Sequence, residues 1–111
     1  MLWTPWNNGR HLTTGAGYGL KVPVHDRDAH MARQMRSVIL MVPTESGTLS
    51  ITFNIDKDSF WMPSCHKLIS RKFGGWLIAR GLAPWPCGVP PRFEVEKVSR
   101  GAFALTRIIA A

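Results

Sequence analysis

Hydrophobic and polar residues alternate most regularly over residues 49–55, where Leu49, Ile51, Phe53 and Ile55 are separated by Ser50, Thr52 and Asn54. Successive side chains of a strand point to opposite faces, so this pattern predicts a half-buried strand. Residues 38–42 form a solid apolar run stopped by Pro43, and Glu45-Ser46-Gly47 supplies a turn. The two segments together predict a β-hairpin. Phe93, Val95 and Lys97 alternate with Glu94 and Glu96, Ser99-Arg100-Gly101 turns the chain, and Phe103, Leu105 and Arg107 supply a last strand.

Upstream, Leu20, Val22 and Val24 share a face at period two and predict a short strand that ends near Pro23. Asp26 can cap a helix over 27–34, whose apolar side is thin. Residues 64–82 carry helical spacing through Ile69, Phe73, Trp76 and Leu77, with Gly74 and Gly75 interrupting it. Either a long helix or one confined to 74–81 fits. The prolines between 83 and 91 exclude regular structure there. Residues 1–16 mix turn formers with Trp3 and Trp6 and predict an N-terminal arm, whose tryptophans either fold back or await a partner. Residues 17–109 then form one domain. The expected fold class is mainly β within α+β: a small, mostly antiparallel barrel with one or two short helices.

A chain of 111 residues suits a single core. Its 45% apolar and 19% charged residues describe a globular protein. Fourteen Lys and Arg against seven Asp and Glu give +7, which favours acidic partners, nucleic acid first. The placement of charge sharpens this. No acid occurs between Ser59 and Phe93, a stretch holding His66, Lys67, Arg71 and Lys72. None precedes Asp26, so Arg10, His11 and Lys21 also stand without an acid. Lys and Arg on phosphates supply affinity without reading sequence.

Other chemistry is thinly supported. Gly15-Ala16-Gly17-Tyr18-Gly19 lacks the strand-loop-helix context of a phosphate loop, and its glycines suit a tight bend or close packing. His25, His30, Cys65, His66 and Cys87 lack zinc-ligand spacing, so no metal or cofactor is expected. Catalysis is not expected, although Cys65 and the Asp26/Asp28 pair are the residues that would carry it. No membrane span and no leader are expected, and the compartment implied is cytoplasmic.

Several short segments resemble known proteins. Leu20-Lys21-Val22-Pro23, the helix near Asp28, Gly75-Trp76, Gly81-Leu82 and Phe93-Glu94-Val95 are similar in order to the DNA-binding pseudobarrel of plant transcription factors. That barrel is similar to the effector-binding domain of some bacterial restriction enzymes. The chain also resembles small uncharacterised bacterial proteins with G-Y-G, F-W and G-L-x-P-W-P-x-G-x-P-P, a likeness that brings no function. The pseudobarrel resemblance implies two arms gripping duplex DNA, one holding Arg10, His11 and Lys21, the other His66, Lys67, Arg71 and Lys72. The chain departs from that pattern in its Pro84–Pro91 segment and its short loop before Gly75-Trp76. The expected function is non-catalytic binding of nucleic acid, duplex DNA foremost. The alternative is a protein-interaction module using Trp3, Trp6 and Trp85, the last made rigid by Pro84 and Pro86.

Overall fold

A computed structural model describes residues 1–64 and 66–109. Cys65, considered above for catalysis, lies outside the described residues. In chain order the elements are β1 (Leu2–Asn7), β2 (Tyr18–Lys21), α1 (Val24–His30), β3 (Ser37–Thr44) and β4 (Gly47–Asn54). There follow α2 (Asp58–Trp61), β5 (Lys67–Ile69), α3 (Arg71–Ala79), β6 (Arg92–Ser99) and β7 (Ala102–Ile109), with a 3-10 turn at Arg33–Met35. The strands form one seven-stranded sheet in the order β4-β3-β7-β6-β1-β2-β5. All pairings are antiparallel except β3 with β7.

The sheet curls into a nearly closed barrel, bringing its end strands β4 and β5 near one another. Helix α3 belongs to this seam. The Lys72 Nζ donates to the Ser50 carbonyl of β4 at 3.2 Å, and the Phe73 ring meets Phe53 of β4 edge-on at 5.7 Å. The inward residues of the long strands, among them Leu40, Ile51, Phe53, Phe93 and Phe103, are fully buried. The mostly antiparallel barrel expected from the sequence is therefore present, with three short helices.

Four local expectations are corrected. Residues 2–7 are no arm: β1 lies between β6 and β2, and alternation on it drives Trp3 into the core. Pro5 is tolerated because β6 pairs with β1 only at Leu2 and Trp3, so that ladder has ended before the proline. The second strand ends at Lys21 and Val24 already opens α1, because Pro23 at φ −55° stops the strand and leads into the helix. Helix α1 ends at His30 and is not capped by Asp26, whose carboxylate accepts instead from Trp3 Nε1 at 3.1 Å. The helical spacing over 64–82 covers two elements. Ser70 accepts from the Phe73 amide as the N-cap of α3, which leaves 67–69 to pair with β2.

The glycines packed against α3 serve close packing. A Cβ on Gly74 would run into the Gly15 carbonyl, and one on Gly15 would meet the α3 backbone at Arg71 and Gly75. The loop joining β1 to β2 can lie flat on the helix only because both side chains are missing.

Candidate functional site

Two of the sequence-predicted basic residues, Lys21 and Lys67, meet through strand register. Thr4, Lys21 and Lys67 face one another across β1, β2 and β5, and Trp6, Gly19 and Ile69 form the next same-face row. The intervening row of Pro5, Leu20 and Leu68 points inward and is buried. The outer face of this half-sheet thus carries two lysines, a half-buried tryptophan and Ile69. Lys67 Nζ sits 4.7 Å from the centre of the Trp6 ring, a cation–π contact that holds the ammonium over the indole. Gly19 keeps the row low, and Ile69 closes over it.

The other expected residues have separate places. Arg10 is exposed in the loop between β1 and β2, its backbone amide held by the Asn8 side chain at 3.1 Å. Arg71 reaches across to the same loop, Nε donating to the Thr14 carbonyl at 3.2 Å. Lys72 is at the barrel seam. His66 follows the undescribed position, is half-buried, and its Nδ1 has no partner among the described residues. Arg71 and Lys72 stand in the first turn of α3 with no acid beside them, an arrangement that opposes the helix dipole. Among the described residues the ion pairs fall at Arg27, Arg33 and Arg107, so Arg10, Lys21, Lys67, Arg71 and Lys72 keep their charge uncompensated.

His11 does not project into solvent. Its Nδ1 and the Tyr18 hydroxyl are hydrogen-bonded at 2.9 Å, and its ring meets Trp85 edge-on at 5.2 Å. Tyr18 contacts Trp85 at 5.9 Å as well, and burial raises its phenol above the ordinary value. His11 has φ +48°, a left-handed conformation that costs a non-glycine residue energy. The Asn7 side chain holds it there, accepting from the backbone amides of Gly9 at 2.8 Å and His11 at 3.0 Å. Beside this cluster lies an open groove of about 570 Å³, lined by Pro5, Trp6, Asn7, His11, Trp85 and Cys87 among others. Trp6 belongs both to this groove and to the lysine-bearing face.

Of the tryptophans assigned to partner binding, Trp3 is only 1% exposed and is bonded to Asp26, whereas Trp6 and Trp85 are half-exposed. The Asp26/Asp28 pair does not act as a unit. Asp26 serves Trp3, and Asp28 pairs with Arg27 Nε at 3.0 Å. Arg27 was missed by sequence reasoning. It is buried, and its Nη1 donates to the Phe60 carbonyl at 2.7 Å and the Met62 carbonyl at 3.0 Å, tying α1 to α2. Nothing distinguishes it in the sequence from an exposed helix arginine.

Among the described residues no group of three His, Cys, Asp or Glu side chains is placed to hold a metal, and no helix is long and apolar enough to cross a membrane. No protein-family model, curated protein or solved structure matches the chain.

Proposed function

We propose that the protein binds nucleic acid, without catalysis, through the outer face of β1, β2 and β5. The observation that carries this is the Lys21–Lys67 pair beside Trp6. Like charges directly opposite on neighbouring strands are destabilising, so their cross-strand placement without a carboxylate is poorly explained by folding alone. A phosphate between the ammonium groups relieves that repulsion. Trp6 offers an aromatic surface beside the backbone track, the combination used on sheet faces that hold nucleic acid. Arg10 and Arg71, on and against the adjoining loop, add positive charge beside this face, and Arg10 lies between Gly9 and His11 of the groove.

The test is a fluorescence-anisotropy titration of labelled random-sequence duplex and single-stranded DNA at two salt concentrations. Affinity should fall steeply with salt, by a log–log slope of about 0.9 for each duplex phosphate neutralised. No binding at low salt overturns the proposal.

A second reading takes a protein partner at the hollow lined by Leu82, Pro84, Trp85, Pro86, Val89 and Pro91, where Val89 is 45% exposed. Salt-insensitive association abolished in Val89→Glu would carry that reading in place of the first.

A further inference from the structure

We infer that the groove beside Trp85 takes an unpaired nucleobase, seated next to the phosphates held by the lysine-bearing face. This rests on the nucleic-acid reading and narrows it from any nucleic acid to a strand with a base out of its stack.

Four observations support it together. First, the groove has the size of a small-molecule site, and its walls include the indoles of Trp6 and Trp85. Aromatic walls suit a flat heterocycle, whose π-face stacks without regard to base identity. Second, the walls are pre-set. Trp85 is fixed edge-on to His11 and Tyr18, and His11 is kept at a strained φ by Asn7. Strain of this kind is retained where a group must be positioned. Third, polar side chains stand at the groove wall. Asn7 lines it and keeps a buried Nδ2 with no partner among the described residues, an unsatisfied group that folding alone does not explain. His11, with Nδ1 engaged by Tyr18, has Nε2 remaining. Fourth, the surrounding charge fits one occupant. No acid lines the groove, exposed Arg10 lies between the lining residues Gly9 and His11, and Lys67 stands over the shared Trp6. An apolar peptide would make no use of these cations, whereas a nucleotide matches the aromatic walls and the positive rim at once.

The test uses three labelled duplexes that differ at one central position. One is fully paired, one has a base facing an abasic site, and one is abasic on both strands. The intact chain should bind the unpaired-base duplex at least about fivefold more tightly than the other two. Trp85→Ala should erase that preference while keeping the affinity for paired duplex, which also reports that the variant is folded. Trp85→Phe should retain part of it. Equal affinity for the unpaired-base and doubly abasic duplexes, with salt-sensitive binding intact, overturns the base site and leaves the lysine-bearing face standing. Absence of binding to all three at low salt overturns both.

Discussion

Strands β3, β4, β6 and β7 are each eight residues long, whereas β1, β2 and β5 have six, four and three. The outer faces of the two halves differ as much as their lengths. On the long-stranded side, Ile39 and Met41 stand opposite Thr52 and Ser50 on one neighbour and Ala102 and Ala104 on the other; the charges farther along are Glu96, facing Ala104, and Glu94 paired with Arg107. On the short-stranded side, the corresponding positions are Lys21, Lys67, Trp6 and Ile69 around a glycine. The long strands place nine hydrophobic side chains in the core, against four from the short strands. The short strands give up length, with Pro5 and Gly19 within them and a loop from Asn8 to Gly17 between β1 and β2, and gain a basic aromatic surface beside a groove. Scaffold and candidate site are thus separated along one sheet.

Substitutions in the two halves should separate in kind. The largest effect belongs to the scaffold: Phe53→Ala removes a buried ring packed against Phe73 and should cost about 3–5 kcal/mol in chemical denaturation. A loss below about 1 kcal/mol would show that the long-stranded half is not the core the burial describes. Next comes Arg27→Met, which leaves the buried Phe60 carbonyl unpaired and should lower stability by about 1–3 kcal/mol.

The two glycines of α3 give a contrast of sign. Gly74→Ala should destabilise by about 1–3 kcal/mol, because its methyl meets the Gly15 backbone, which cannot swing away as a side chain would. Gly75→Ala, with open space around it, should stabilise by about 0.5–1 kcal/mol through helix propensity. Equal effects measured by thermal melting would remove the case for a glycine at the loop–helix approach.

The smallest effect is one of pH. The Tyr18 phenol is raised above 10.0 by burial, so the folded state favours its neutral form. Below that value the folded and unfolded chains are both protonated and stability does not change on this account. As pH rises past it, the unfolded chain loses its proton first and stability falls until the folded phenol also ionises. The difference in denaturation midpoint between the native chain and Tyr18→Phe should stay constant below about pH 10 and change in the direction of a less stable native chain as pH rises past it. A constant difference would contradict the burial of the hydroxyl.

The same division decides what the sequence revealed. The β3–β4 and β6–β7 hairpins were legible because eight-residue strands show alternation over several periods, as Leu49, Ile51 and Phe53 do. Strand β1 was hidden by Pro5, which normally argues against an interior strand, and β5 by having only Lys67, Leu68 and Ile69. Of the candidate site, acid-free spacing marked the basic residues, but not which of them meet. Cross-strand register pairs Lys21 with Lys67, while Lys72 goes to the seam and His11 to Tyr18. Trp3 and Trp6 look equivalent in sequence, yet strand alternation sends one to the core and the other to the surface. The hydrogen bond from the His11 amide to Asn7 depends on a left-handed residue that nothing in the residue pattern announces.

The central claim is that affinity for nucleic acid belongs to a place and not to the total charge of +7. It is tested most directly by two double variants that remove the same charge from the two halves: Lys21→Gln/Lys67→Gln on the short-stranded face and Lys97→Gln/Arg100→Gln at the exposed β6–β7 tip. Salt-dependent binding to one labelled duplex is compared for both. The account predicts that the first pair lowers the log–log salt slope by about 0.9 for each phosphate no longer neutralised, while the second leaves it unchanged. An equal drop in the two variants would contradict it.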